Sequence, residues 1–267
     1  MSIPLRTEAE LVKLREACKL AADVLVMIEP YVKAGVTTGE LDRICHQYMV
    51  EQQKTIPACL GYHGFPKATC ISLNEVVCHG IPSDDKVLKN GDILNIDVTV
   101  IKDGYYGDNS KMYIVGETNI RSKKLVEAAQ EALYVGLRAV KPGVRLNEIG
   151  RAVQKYTEAQ GFSVVREYCG HGIGTEFHNE PQVLHYYADD GGVVLQPGMV
   201  FTIEPMINAG KKEVRLMNDG WTVKTKDRSH SAQYEHQIVV TQNGCEVMTI
   251  RDEEIAEGRI QRHMNNL

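Results

Sequence analysis

At 267 residues the chain is long enough to bury a sizeable core, and 43% apolar with 24% charged residues are ordinary values for a soluble globular protein. The formal net charge of −5, from 30 Lys and Arg against 35 Asp and Glu, excludes a general nucleic-acid coat while leaving room for a local basic patch. Seven cysteines, an odd number with no C-x-x-C pair, exclude a disulfide scaffold and a thiolate zinc site, so reduced thiols are expected. The opening MSIPLRTEAE has no apolar signal core and no run reaches membrane-spanning length, which predicts a cytoplasmic protein with no membrane partner.

In chain order, Thr7-Glu8-Ala9-Glu10 predicts a capping box. Leu11, Leu14, Cys18, Ala21, Leu25 and Ile28 then recur at helical spacing until Pro30. Thr37-Thr38-Gly39-Glu40 predicts a second capping box, ahead of a helix over Leu41 to Gln52. Further helices are predicted over Arg121 to Val140 and Leu146 to Gln160, the last stopped by Gly161. Two segments repeat. VKAGVTTGELDRICHQY (32–48) and VKPGVRLNEIGRAVQKY (140–156) share seven of 17 positions, and GDILNID (91–97) matches GMVFTIE (198–204) at nearly the same offset. Chance likeness between amphipathic segments is one account; the other is an ancient duplication, giving one domain over 1–267. Its halves would span about 1–120 and 121–250. The residues from 251 to 267 read as a short, polar, peripheral tail.

The segment 92–115 reads as a hairpin about Lys102-Asp103-Gly104, with Asp97 and Asp108 on opposite arms, across from each other or one diagonal apart. Like charges that close require a proton or a cation between them, and Asp97 sits in an apolar run, Ile93, Leu94, Ile96 and Val98, where an unpaired carboxylate is costly. The alternative is an Asp pair on a solvated face. The second half repeats the pattern with Glu204 ending VFTIE and Glu235 in AQYEHQIVV. YCGHGIGTEFHNEP (168–181) adds His171 and His178 among three glycines. Such histidines serve as loop residues, as turn-holding polar groups, or as a metal ligand beside a proton handler. Four carboxylates and an imidazole can hold two divalent cations.

Together these stretches resemble a methionine aminopeptidase of the short, bacterial type I. The resemblance rests on NEVVCHGIP around His79, NIDVTV with Asp97, GDNSKM with Asp108, GHGIGTEFHNEP with His171 and His178, FTIEPM with Glu204 and QYEHQIVV with Glu235. It implies the pita-bread α/β fold, two pseudo-symmetric halves of antiparallel strands and covering helices around a dinuclear site. It also implies the ligand roles: Asp97 on one metal, His171 and Glu204 on the other, Asp108 and Glu235 bridging. The metals are two divalent ions, Mn²⁺, Fe²⁺, Co²⁺ or Zn²⁺. The implied activity is removal of an N-terminal methionine when the second residue is small, by a monomer. Glu204, His178 and His79 have the catalytic roles; for His79 a structural loop role is the alternative, and for His178 the orientation of a carboxylate. His63 lies near the pocket without a chemical step. Cys59, Tyr62, Phe65, Cys70, Phe177 and Trp221 form a wall suited to a thioether, although residues of these types are also ordinary core. Many relatives carry Tyr where this chain has Phe65.

Two rivals remain: another hydrolase of the fold, cleaving X-Pro bonds, and a metal-free binding module, which all five candidate ligands argue against. The segment 209–229 carries Lys211, Lys212, Arg215, Lys224, Lys226 and Arg228 against Glu213, Asp219 and Asp227. It reads as a docking patch for ribosomal RNA, where nascent chains emerge, or as a solvated hairpin with scattered charges.

Overall fold

The computed structural model describes residues 3–189 and 192–265. Its first helix, α1 (Glu8–Ile28), starts where the capping box predicts: Thr7 N–H donates to Glu10 Oε2 at 2.8 Å and Glu10 N–H donates to Thr7 Oγ1 at 3.4 Å. Helix α2 (Thr38–Gln47) begins three residues before the expected Leu41. Only the hydroxyl half of the second box is seen: Thr37 Oγ1 accepts from Glu40 N–H (3.0 Å) and donates to Asp84 (3.2 Å). Beyond Gln47 the helix widens into one π turn, Tyr48–Gln52. Helix α3 (Ile120–Ala139) is capped by Asn119, which accepts from Ser122 N–H at 2.9 Å. Helix α4 (Asn147–Ala159) ends before Gly161, whose φ of 77° suits a residue without Cβ.

A ten-stranded antiparallel sheet forms the body. The strands that carry the site are β1 (Ile93–Lys102), β2 (Tyr105–Ile114), β3 (Gly170–Gly172), β4 (Val200–Ile203) and β5 (Glu235–Val240). They lie in the spatial order β1-β2-β5-β4-β3. The β1–β2 hairpin turns through Asp103 (φ 49°) and Gly104 (φ 81°), the left-handed pair that a two-residue hairpin loop requires. Strand alternation then sorts the faces. Leu94, Ile96, Val98 and Val100 of β1 pack with Leu25 and Ile28 of α1 and with Leu41 and Cys45 of α2. In the second half Phe201, Ile203, Ile238 and Val240 pack with Leu133, Leu137, Ile149 and Val153 of α3 and α4. Two cores thus lie under one sheet, and the intervening residues of the strands, Asp97 among them, are left for the other face.

The segment after Ile250 corrects the sequence reading of a peripheral tail. Arg251 is 3% exposed, Glu254 and Ile260 1% each. The stretch forms a short helix, α5 (Asp252–Ala256), and then a strand, His263–Asn265, beside Gly244–Val247. Its charges tolerate burial because they pair: Arg251 Nη2 lies 2.8 Å from Glu254 Oε1.

Candidate metal centre and active site

The five candidate ligands come to one side of the sheet. Register puts Asp97 opposite Ser110, Ser110 opposite Glu235, and Ile203 opposite His236, so Glu204, one step past Ile203, stands level with Glu235. Asp97, Ser110, Glu235 and Glu204 therefore run across four strands in one row. Asp108, opposite Thr99, is the diagonal neighbour of Asp97 on the same face. His171 enters from β3 with Nε2 3.5 Å from Asp108 Oδ2 and 3.5 Å from Glu204 Oε1. Ligand atoms of Asp108, His171 and Glu235 lie within 4.8 Å of one another.

This donor set fits divalent cations. Among the described residues His171 is the one cationic partner within ion-pair distance of any of the four carboxylates. Burial, and then the charge of Asp108, holds the Asp97 and Glu235 carboxyls well above the usual range. Burial pushes Glu204 up to about 7 against the pull of His171. Burial alone would lower His171, but its hydrogen bond to Asp108 and the charge of Glu204 outweigh that and raise it. Asp97, Glu204 and Glu235 are held up because His171 alone does not neutralise the row, and oxygen donors with one imidazole are a set for Mn²⁺, Fe²⁺, Co²⁺ or Zn²⁺ in a catalytic site and not for a structural zinc. His171 Nδ1 is 3.1 Å from the Gly172 carbonyl. Donating Nδ1–H there keeps Nε2 directed at the carboxylates, where it shares a proton with them in the cation-free protein and would offer its lone pair to a cation.

The glycines around His171 serve closeness, not handedness. A Cβ on Gly170 would strike the Thr202 carbonyl, and one on Gly172 the Glu180 carbonyl. Neither glycine, nor Gly174, is among the residues with positive φ. His178 sits beyond, its ring 4.2 Å from that of His171 and stacked on Phe177, with Nδ1 2.7 Å from the Tyr62 hydroxyl. Burial, reinforced by His171, lowers His178 to about 4, so it is neutral near pH 7. His79 is also lowered by burial; it stands at φ 54° beside Tyr168 and Trp221.

A cavity of about 730 Å³ joins these groups. The predicted pocket residues Cys59, Tyr62, His63, Phe65, Cys70, Phe177 and Trp221 all line it. Phe65 is edge-on to Trp221 at 5.1 Å, and Tyr62 packs on Phe177 at 4.8 Å. His63, at φ 46°, is exposed and stands edge-on to Tyr62 at 4.4 Å.

Sequence reasoning missed the residues that hold the ligands. Thr99 donates to Asp108 (2.7 Å), while Thr202 (2.8 Å) and Gln233 (3.1 Å) donate to Glu204. The buried His185 accepts from Glu204 N–H at 3.0 Å. A signal existed for two of them: Thr99 and Thr202 are each two positions from Asp97 or Glu204, the spacing of one strand face, whereas Gln233 ends the strand before the one that carries Glu235. The basic segment forms a hairpin, Val214–Leu216 with Val223–Thr225. Lys211 and Lys226 are exposed, whereas Lys224 is drawn into an ion pair with Glu75 at 2.8 Å.

Residues 12–242 match the model of metallopeptidase family M24, and the chain belongs to that family. It is 87% identical over 268 aligned positions to a methionine aminopeptidase of Haemophilus influenzae, covering 100% of both chains. It is 67% identical over 254 positions to one from Salmonella typhimurium, covering 95% of this chain and 96% of the relative. Among solved structures, the methionine aminopeptidase from Rickettsia prowazekii superposes with a TM-score of 0.91 at 51% identity, over 93% of this chain and 100% of that one. The prolidase from Pyrococcus horikoshii, 24% identical with a TM-score of 0.72 over 93% of this chain and 64% of that one, shares the fold. The fold is the pita-bread arrangement of the family, and the family implies the use of divalent metal.

Cation binding should depend on pH with a definite sign. Carboxyls raised in the fold keep protons that the unfolded chain has shed, so between the unfolded and raised values they lower the stability of the cation-free protein as pH rises. An entering cation must displace those protons. The rise in Tm on adding Mn²⁺ should be larger at about pH 7.5 than at about 5.5. Taking the difference between loaded and cation-free samples cancels the buried histidines His79 and His185. An equal or smaller shift at the higher pH would contradict the assignment.

Proposed function

We propose that the chain is a metal-dependent aminopeptidase that removes the N-terminal methionine from nascent proteins and peptides when the second residue is small. One observation carries the reading: a cavity walled by thiols and aromatic rings opens directly onto the carboxylate row, in a chain 87% identical to a methionine aminopeptidase. We read it as a single catalytic domain of two halves, about 1–120 and 121–250, working in the cytoplasm as a monomer. Among the described residues no helix is long and apolar enough to cross a membrane.

Asp97, Asp108, His171, Glu204 and Glu235 would hold two divalent ions. Lewis acidity and a water acidified toward a pKa of about 7 are what bound cations supply. Glu204 accepts the proton of the attacking water; Thr202 and Gln233 fix its two oxygens, one each, and keep it oriented. The Tyr62 hydroxyl donates to His178 Nδ1, which leaves Nε2–H of the neutral ring to polarise the scissile carbonyl. His79 assists at the scissile nitrogen. The free α-amine of the substrate lies at the Asp97 end of the row, so only the first residue of a chain fits. The methionine side chain fills the space between Cys59, Cys70, Phe65 and Trp221, where sulfur and aromatic faces suit a thioether.

A peptide panel on the Mn²⁺-loaded protein tests the reading. Burying a methionine side chain is worth roughly 1.5–3 kcal/mol, so Met-Ala peptides should be cleaved at least about tenfold faster than Ala-Ala. Met-Lys should be poor, because Phe177 and the His178 loop crowd the second residue. Cleavage of X-Pro with Met-Ala untouched would overturn the proposal.

The two histidines should separate. His178→Ala should retain Mn²⁺ and lose about 10²–10³ in kcat, whereas His171→Ala should lose Mn²⁺. The opposite pattern in metal analysis would reverse the roles.

The basic hairpin suits the phosphates of ribosomal RNA through Lys211, Lys212 and Lys226, with Lys224 a weaker contributor because of Glu75. Changing Lys211, Lys212 and Lys226 to Glu should weaken ribosome co-sedimentation at low salt and leave tripeptide hydrolysis intact. Unchanged co-sedimentation would remove the docking role.

A further inference from the structure

On the face of the sheet turned away from the cavity, directly behind the carboxylate row, lies a buried polar cluster that the chemistry above does not use. Its members come from β2 (Asn109), β5 (His236) and the C-terminal segment (Thr249, Arg251, Glu254), and each is at most 3% exposed. The bonds form a closed circuit. Thr249 Oγ1 accepts from Gln237 N–H at 3.0 Å and shares a hydrogen bond with His236 Nδ1 at 3.0 Å. His236 Nε2–H then donates to Glu254 Oε1 at 3.1 Å. Arg251 pairs with that same oxygen at 2.8 Å and donates to Asn109 Oδ1 at 3.1 Å, while Asn109 Nδ2 returns to the Thr249 carbonyl at 3.2 Å.

The place of this circuit is telling. Asp108 and Glu235 stand on the neighbouring strands β2 and β5, yet that seam is laddered by only two residue pairs, Glu235–Ser110 and His236–Asn109. Where the ladder would continue, Asp108 N–H donates instead to Gln237 Oε1 at 3.0 Å, and Gln237 N–H to Thr249. Backbone pairing alone therefore fixes little of the spacing between the two carboxylates. Asn109 and His236 adjoin Asp108 and Glu235 in sequence, and both are gripped from behind by the same C-terminal segment. Buried ion pairs add little stability over apolar replacements, whereas a fully satisfied network favours a single geometry.

We propose that the cluster of Asn109, His236, Thr249, Arg251 and Glu254 positions the cation pair, by setting the separation of Asp108 and Glu235 through the backbones of β2 and β5. These are positioning residues, and the proposal rests on the reading that Asp108 and Glu235 share the cations.

The test is calorimetric titration of Mn²⁺ into cation-free protein, with circular dichroism fixing a temperature at which each variant is folded. Thr249→Val removes the hydroxyl at nearly constant shape; it and Glu254→Gln should weaken Mn²⁺ binding by about tenfold or more, the scale for groups behind a metal ligand. Thr249→Ser, which restores the hydroxyl, should bind as the wild type does. Tyr113→Phe is the control: it deletes a buried hydrogen bond to the Leu25 carbonyl (2.6 Å) at the far end of β2 and should leave binding unchanged. Folded Thr249→Val with wild-type affinity, or an equal loss in Tyr113→Phe, would overturn the proposal. A wild-type protein that takes up no Mn²⁺ would overturn the cation reading itself, and this proposal with it.

Discussion

Four carboxylates held on one face of a sheet, where no lysine or arginine among the described residues pairs with them, are the constraint around which this molecule is arranged. Taking even one carboxylate out of water without a partner costs several kcal/mol. The fold meets that cost by backing the row with apolar cores and placing hydrogen-bond donors around it. Alternation along β1 gives one face to Leu94, Ile96, Val98 and Val100 and the other to Asn95, Asp97 and Thr99, so the same ten residues build a core and present a ligand. Around the row every supporting group has a defined duty: Thr99, Thr202 and Gln233 donate to carboxylate oxygens, and the Gly172 carbonyl sets the tautomer of His171.

The same row divides binding from chemistry. The cavity over the row is lined by Cys59, Cys70, Phe65 and Trp221 and also by Phe177 and His178. On the proposed reading, a substrate would place its first side chain against the thiols and rings and its first peptide bond over the carboxylates. Selection at the first residue and position of cleavage would then be set by one piece of geometry.

Much of this was legible in the sequence where local signals and final structure agree. The Thr7 box, the Asp103-Gly104 turn and the alternation around Asp97 depend on near neighbours, and the structure keeps them. The departures arise where distant residues intervene. Asp84 takes the Thr37 hydroxyl, and α2 starts early as a single-sided cap. Glu75 takes Lys224 out of the basic patch. The C-terminal segment reads as solvated because its composition is polar, but Asn109 and Tyr134, far back in the chain, supply partners that let Arg251 and Glu254 go inside. The glycines beside His171 suggest both close backbone approach and left-handed backbone, and the structure uses the first and not the second. The supporting threonines, each two positions from a carboxylate on its strand, carry a signal only once that carboxylate is taken as a ligand that needs a partner.

Gly107 shows how far the influence of the site extends. A Cβ there would collide with the Ala17 carbonyl, so the backbones of β2 and α1 touch with nothing between them, one residue from Asp108. The first helix is accordingly the surface against which the strand of Asp108 rests, although none of the candidate ligands lies on it. Tolerance to mutation in this protein will therefore not follow distance from the reacting atoms. Substitutions around Ala17 that move the helix backbone outward belong with those in the carboxylate row when natural variants are interpreted, and a stabilisation campaign that treats α1 as inert scaffold would be redesigning the candidate metal centre.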